Sequence, residues 1–349
     1  MKKYSLVLLI IQMVLLVNGQ DIGGKFNYTD LYSPSLENPG GENPTRNVSV
    51  YLPPGYETSS NKYPVIYYLH GITQSDNKLI KNQNIEKLLN EAIATGKIRP
   101  MIFVMCDQYT LFRGSFYTNS SLTGNWADFT ARDLVSYIDQ QYRTISDRES
   151  RGISGHSMGG HGAIKLGMLF PDVFSSVYAL SPYVLALEDD YGPEGEAYKQ
   201  AQMIQSPDTL IKGYKYANAN AVVAAGRAFS PNPNNPPYYA DLPYTYAGDS
   251  LIVNQKVLDL WNKNLPSEMV RDYATSLKSL KAIKLDWGWD DFFTHIPPTC
   301  RSFSKQLEEL GINHFAEEYN GSHMNKIYEE DGRIMNDMLP FFNTYLKFD

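Results

Sequence analysis

Short apolar runs alternate along the chain with segments in which apolar residues recur at helical spacing. The runs predict strands at 47–52, 63–69, 101–105, 151–154, 176–180, 282–286 and 314–319. The helical spacing predicts helices at 85–93, 128–142, 158–169, 303–310 and 334–345, the last kinked near Pro340. Because strands and helices alternate, we predict an α/β fold with a mostly parallel central sheet and helices on both faces.

The alternation is lost between residues 182 and 271. This stretch is rich in Asn and Tyr and contains prolines at 231, 233, 236, 237 and 243. A Pro-rich run suits neither a central strand nor a long helix, and long irregular segments are usually lids or binding elements. We therefore expect residues 183–270 to form a cap-like insertion in a single domain that spans residues 20–349.

The first 19 residues have the pattern of a secretion leader. Lys2 and Lys3 precede an apolar stretch at 6–17 that is interrupted only by Gln12. Twelve residues are too few for a bilayer span, which needs about 20. We interpret residues 1–19 as a signal peptide and expect a secreted protein, extracellular or periplasmic, with a membrane anchor as the alternative. No other stretch resembles a membrane span, so stable membrane insertion is not expected.

Composition excludes several classes of protein. The 349 residues are 43% hydrophobic and 20% charged, which is ordinary for a globular protein and excludes a disordered chain. The formal net charge of −7, without a basic block, makes nucleic acid an unexpected partner. The sequence does not define an oligomeric state.

Cysteine and histidine spacing gives no reason to expect a metal or a cofactor. Cys106 and Cys300 are too few for a disulfide framework and fit no metal motif, although a bridge between them stays open. Cys106 ends an apolar run and is expected to be a buried thiol. The chain contains no H-E-x-x-H, paired C-x-x-C or G-x-G-x-x-G pattern. We therefore predict neither a metal nor a cofactor.

The strongest chemical signal is the pentapeptide GHSMG at 155–159, which fits G-x-S-x-G. A predicted strand enters it and a predicted helix leaves it. Glycines are needed because bulkier residues would clash with that strand and helix, while the turn holds its serine in a strained conformation. Ser157 would then lie at a helix N-terminus, which favours developing negative charge. Ser157 is the predicted nucleophile; the alternative is a Gly-rich turn that merely packs tightly.

A serine nucleophile needs a base and an acid that orients the base, and in such folds they follow in the order Ser, acid, His. His323 lies in a turn directly after the last predicted strand and is the predicted base. The loop after strand 282–286 supplies the acid. We favour Asp291 in this role, with Asp290 as the alternative.

The loop after the early buried strand should supply one of two oxyanion donors. We predict the backbone N–H groups of Ile72 and Met158 as these donors, since Gly71 lets the first loop turn toward the site. Substrate contacts are assigned to His156, Tyr109 and Trp289. Core packing is the alternative for any single aromatic residue.

Several motifs in register resemble the esterase D-like group of α/β-hydrolases. They are Leu69-His70-Gly71-Ile72, Asp133-Leu134 to Tyr142-Arg143, Arg148, Gly155 to Gly160, and Gly321-Ser322-His323. The group includes feruloyl and acetyl xylan esterases, S-formylglutathione hydrolases and bacterial mycolyltransferases. The resemblance covers about 45–182 and 280–345 and implies an α/β-hydrolase fold.

The resemblance also bears on the individual site residues. The family places its acid in Gly-x-x-Asp, which is Gly288 to Asp291 here and so favours Asp291. Two departures are evident. Residues 183–270 match no family motif, and feruloyl esterases of the group commonly have Leu at the position of His156.

Together these features predict a secreted serine carboxylesterase that acts on a small-molecule or polysaccharide-linked ester. For such a secreted member, the resemblance implies feruloyl or acetyl esters of plant polysaccharide. An acyltransferase that uses a sugar hydroxyl in place of water, a general short-chain esterase, and a binding module without catalysis are the alternatives.

Overall fold

The structure, a computed structural model, describes residues 23–349, so the predicted leader lies outside the described residues. No helix in the described part of the chain is long and apolar enough to cross a membrane. An eight-stranded sheet forms its centre. Its strands are β1 (Lys25–Tyr32), β2 (Thr45–Leu52), β3 (Val65–Leu69), β4 (Ile102–Cys106), β5 (Arg151–His156), β6 (Ser176–Leu180), β7 (Ala282–Gly288) and β8 (Phe315–Tyr319).

The spatial order of the strands is β1-β2-β4-β3-β5-β6-β7-β8. β1 pairs antiparallel with β2, and β2 pairs antiparallel with β4. All other neighbours in the sheet run parallel. The carboxyl ends of β3, β5, β7 and β8 therefore meet at one edge, where ligands bind in open parallel sheets.

Helices cover both faces of the sheet, as the alternation predicted. Apart from a single turn at Trp126–Asp128, the α-helices of the described residues are α1 (Asp76–Gln83), α2 (Ile85–Ala94), α3 (Val135–Gln141), α4 (Met158–Leu169), α5 (Ala197–Met203), α6 (Pro207–Ile211), α7 (Ala217–Phe229), α8 (Gln255–Asn262), α9 (Pro266–Met269), α10 (Ala274–Lys278), α11 (Ile296–Glu309) and α12 (Leu339–Tyr345). A π-helical turn at Phe129–Leu134 leads into α3, and another at Ile334–Met338 precedes α12. The second turn ends two residues before Pro340, the residue near which a kink was predicted.

Alternate residues of the central strands enter two different apolar cores. In β3, Tyr67 belongs to the core shared with α4, whereas Ile66 and Tyr68 belong to the core on the opposite face. Both faces are thus buried, which explains the nearly continuous apolar sequence of this strand. The predicted α/β-hydrolase architecture is confirmed. β1 and α1 had not been predicted, because β1 buries only Phe26 and α1 buries little beyond Leu79.

The segment 183–270 contains the five helices α5 to α9 and a hairpin formed by Tyr244–Ala247 and Ser250–Val253, joined by irregular stretches. Its helix α7 is buried along most of its length and joins the same apolar core as α4. The Pro-rich residues 231–243 form neither a helix nor a strand of the main sheet. The interpretation of the segment as an insertion in one domain stays a prediction.

Candidate active site

Ser157 lies in a sharp turn between β5 and α4. Its backbone has φ 59° and ψ −120°, a strained conformation for a residue with a side chain. A Cβ on Gly159 would lie 1.9 Å from the Leu69 carbonyl oxygen, and one on Gly155 would lie 2.5 Å from the Gly159 carbonyl carbon. Both glycines are therefore required by close backbone approach, as the motif predicted.

His323 lies between Ser157 and Asp291. Its Nε2 is 2.9 Å from Ser157 Oγ, and its Nδ1 is 2.8 Å from Asp291 Oδ2. Because an ionised carboxylate can only accept, the proton belongs on Nδ1, which leaves Nε2 free to accept from the serine hydroxyl. The other Asp291 oxygen accepts a hydrogen bond from the backbone N–H of Phe293 at 2.9 Å. All three predicted side chains are buried and in contact.

The alternative acid, Asp290, is exposed, and its backbone N–H donates to the Gly321 carbonyl at 3.0 Å. This bond joins the loops that carry the acid and the base. A Cβ on Gly288, the last residue of β7, would lie 2.4 Å from the same carbonyl oxygen. The two loops approach each other so closely that only glycine fits there, and Asp291 is the aspartate they bring to His323.

The two predicted oxyanion donors lie beside the serine. A Cβ on Gly71 would be 3.3 Å from Ser157 Cβ, and one on Gly114 would touch the side chains of both Ile72 and Met158. Among the hydrogen bonds of residues 23–349, neither the Ile72 nor the Met158 backbone N–H has an acceptor. Met158 is the first residue of α4, where N–H groups lack intrahelical partners. Both groups are thus available to an oxygen that develops negative charge.

The loop that carries Ile72 is held by its neighbour His70. His70 accepts a hydrogen bond from the Gln108 backbone N–H at its Nε2 (2.8 Å), while the Tyr117 hydroxyl donates to its carbonyl (2.8 Å). Burial lowers the pKa of His70 and keeps the ring neutral, which suits a ring nitrogen that accepts. This early histidine therefore supports the loop and does not compete with His323 as the base.

Ser157 and His323 open into a cavity of about 680 Å³. Aromatic rings lie beside the histidine, with the Phe293 centroid 4.9 Å and the Phe292 centroid 5.3 Å from the imidazole. Much of the wall comes from the segment 183–270, which contributes Tyr183, Asp190, Glu196, Ala197, Gln200, Gly213, Tyr214, Lys215, Ala217, Asn218 and Asn220. This segment therefore shapes the space in front of the nucleophile.

Asp190 links this segment to the loop of the predicted acid. Its Oδ1 accepts from the backbone N–H of His295 (3.0 Å) and lies 2.6 Å from His295 Nδ1, while its Oδ2 accepts from Asn218 (2.9 Å). Partial burial opposes ionisation of Asp190, but these hydrogen bonds outweigh it and lower the pKa to about 2. The ionised Asp190 thus joins the cavity wall to the start of α11.

Two of the three predicted substrate contacts do not lie at the cavity. Tyr109 and Trp289 are absent from its lining; Trp289 is 57% exposed and donates to Asn320, and Tyr109 lies beneath Lys78. His156 does line the cavity, but its Nε2 is bonded to the His323 carbonyl. Sequence reasoning missed Phe292 and Phe293, although both directly follow the predicted acid in sequence.

In the part of the chain that the structure describes, the cysteines and other metal-ligating side chains form no metal site. Cys106 and Cys300 are both buried and free, so the disulfide that had been left open does not form in this structure. Within residues 23–349, His, Cys, Asp and Glu side chains nowhere form a group of three that could hold a metal ion.

Comparison with known proteins places the chain among esterases. A family model described as "Putative esterase" matches residues 42–236. An S-formylglutathione hydrolase from Paracoccus denitrificans is 30% identical over 155 residues, which is 41% of this chain and 54% of that protein. An esterase from Mycobacterium tuberculosis is 34% identical over 150 residues, 42% of this chain and 30% of that protein. The matches thus span about half or less of these curated relatives.

Solved structures share the fold over nearly the whole chain. A ferulic acid esterase covers 93% of this chain and 100% of its own at a TM-score of 0.59 and 21% identity. The alignment with an S-formylglutathione hydrolase from Agrobacterium tumefaciens covers 93% of this chain and 97% of that one, with a TM-score of 0.61 and 18% identity. At these identities the likeness shows the fold alone. Because the family model matches more than half of the chain, the protein belongs to this esterase family, and the predicted esterase D-like membership is confirmed.

Proposed function

We propose that the protein is a secreted serine carboxylesterase that hydrolyses feruloyl or acetyl esters of plant polysaccharide. The observation that carries the proposal is the position of His323, which is within hydrogen-bond distance of both Ser157 and Asp291 at the base of a cavity. Such an arrangement activates a hydroxyl toward a carbonyl carbon.

The reaction follows from these contacts in two halves. Ser157 Oγ attacks the ester carbonyl while its proton passes to His323 Nε2, and the carbonyl oxygen becomes an oxyanion held by the N–H groups of Ile72 and Met158. The tetrahedral intermediate then collapses. The alcohol leaves with the proton from His323, and an acyl ester remains on Ser157. Water next attacks this ester with His323 as base, the carboxylic acid leaves, and the hydroxyl is restored.

Asp291 contributes by holding the imidazole. Its carboxylate keeps the proton on Nδ1 and stabilises the imidazolium that forms when His323 takes the serine proton. The backbone N–H of Phe293 holds the carboxylate in place. Each donor aimed at the oxyanion contributes about 3–4 kcal/mol to the barrier reduction in comparable sites.

The cavity supports an acyl group larger than acetyl. Its volume of about 680 Å³ falls within the range of about 300–1,000 Å³ that accommodates drug-sized ligands. Phe292, Phe293, Tyr214 and Tyr328 line it and could stack on an aromatic acid. Some similar structures are described as ferulic acid esterases, which agrees with this choice. Export is proposed from the leader pattern of residues 1–19.

The test of the proposal compares Ser157→Ala with the unaltered protein on methyl ferulate, acetylated xylan and p-nitrophenyl acetate. We expect the variant to fold, as judged by its unfolding curve, and to lose hydrolysis of every ester that the unaltered protein cleaves. Retained hydrolysis would exclude Ser157 as nucleophile. Product analysis with an added sugar distinguishes transfer to a hydroxyl from transfer to water.

A further inference from the structure

His156, the residue before the nucleophile, contacts the residue assigned as the base. Its Nε2 lies 2.7 Å from the backbone carbonyl oxygen of His323, and the two ring centroids are 4.7 Å apart. Both residues are 3% exposed. Since a carbonyl oxygen can only accept, the hydrogen bond requires a proton on Nε2 of His156.

The surroundings of His156 keep its ring neutral. Burial, followed by the adjacent His323, lowers the pKa of His156 to about 3. The neutral ring with its proton on Nε2 satisfies the carbonyl without introducing a second positive charge beside the base. His156 therefore donates one fixed hydrogen bond and takes no part in proton transfer to or from Ser157, whose hydroxyl contacts His323 instead.

His323 lies on an irregular segment, so its position depends on individual hydrogen bonds. Residues 320–332 contain neither helix nor strand, so no regular hydrogen-bond ladder holds the base. On one side, Asp290 N–H donates to the Gly321 carbonyl, and within the segment Asn325 accepts from Ser322 N–H. The bond from His156 contacts the segment at His323 itself and joins it to β5, the strand that ends directly before the nucleophile.

We infer that His156 is a positioning residue, whose Nε2–H fixes the His323 backbone and thereby sets the distance from the imidazole to Ser157 Oγ. The inference rests on the proposed roles of Ser157 and His323. Misplacement of a reacting group by about 1 Å can cost about a hundredfold in rate, and removal of the donor leaves the buried carbonyl of His323 without its partner.

Three substitutions separate this role from the alternatives. In His156→Gln, the side-chain amide nitrogen extends about as far as Nε2 and can still donate to the carbonyl. In His156→Asn, the amide nitrogen reaches only about the position of Nδ1, and His156→Leu has no donor. We expect kcat on p-nitrophenyl acetate to fall about 10- to 100-fold in the Asn and Leu variants and less than about threefold in Gln, while KM changes little.

The concentration of active sites is measured by titration with a fluorophosphonate, which labels only folded, reactive enzyme. Each rate is divided by this concentration, so that unfolded protein does not lower it. Comparison of Gln with Asn, both neutral amides, keeps the test valid if the Leu variant fails to fold. When kcat/KM is measured as a function of pH, its fall on the acid side should occur at the same pH in the Gln variant and in the unaltered protein. The inference would be overturned by a shift of this acid-side fall in the Gln variant, by equal losses of kcat in the Gln and Leu variants, or by full activity in the Asn variant. Activity that survives Ser157→Ala would instead overturn the proposed function.

Discussion

Lys165 is buried on α4, the helix that begins directly after the nucleophile, and it should destabilise the protein below about pH 10. Its Nζ donates to Thr118 and to Asn264 of the segment 183–270 and lies 5.2 Å from the Phe229 ring centroid. Burial lowers its pKa from 10.5 to about 7, and no carboxylate of the described chain offsets this. Removing the titrating group should therefore change how stability depends on pH.

The sign follows from proton uptake. Between about pH 7 and 10.5 the unfolded chain binds a proton at Lys165 and the folded protein does not, so the free energy of unfolding rises with pH across this window. Each pH unit contributes up to about 1.4 kcal/mol, and the full window corresponds to about 5 kcal/mol. Below about pH 7 both states are protonated, and the penalty on folding becomes constant.

Lys165→Met should remove this dependence. The hydrogen bonds to Thr118 and Asn264 are lost at every pH, at about 1–3 kcal/mol for each partner left unsatisfied. The diagnostic quantity is therefore the dependence of the free energy of unfolding on pH. The free energy of unfolding of the variant minus that of the unaltered protein should fall by several kcal/mol between pH 7 and pH 10. Urea unfolding followed by tryptophan fluorescence at each pH measures it. Parallel curves for the two proteins would refute the assignment of a neutral buried lysine.

Three further predictions concern the site. Asp291→Asn should lower kcat on p-nitrophenyl acetate about a thousandfold or more because the amide cannot hold the required tautomer of the histidine, whereas Asp290→Asn, the matched control, should change it little. Gly159→Ala, whose Cβ would lie 1.9 Å from the Leu69 carbonyl oxygen, should lower the free energy of unfolding by about 3 kcal/mol or more in urea titrations. Phe292→Ala should raise KM for methyl ferulate about 3- to 10-fold and affect p-nitrophenyl acetate less; equal effects on both esters would argue against ring stacking.

The elements that carry the chemistry could be predicted from the sequence because their signals are local. The elbow at 155–159 depends on glycines within five residues and on the strand and helix that flank it. Asp291 and His323 are far apart along the chain, but each follows directly after a recognisable strand. Parallel strands bring such positions to one edge, so an approximate strand assignment was sufficient to propose their contact.

The substrate contacts could not be predicted in the same way. Trp289 and Phe292 belong to the same short loop and are both more than half exposed, yet Trp289 donates to Asn320 whereas Phe292 lies beside the imidazole of His323. This loop meets the loop of His323 at Gly288, where a Cβ would lie 2.4 Å from the Gly321 carbonyl oxygen. Nothing in the sequence near these residues encodes that contact, since it is formed with a segment about 30 residues away.

The segment 183–270 contributes both to the apolar core and to the wall of the cavity. Residues 219–229 of α7 are all buried, in the same apolar core as the helix behind the nucleophile. The start of α7 and the chain before it line the cavity. Removal of the segment would expose the apolar surface beneath it. Because most of the segment's cavity-facing residues lie outside that core, we expect substitutions confined to these residues to change the ester preference without unfolding the protein.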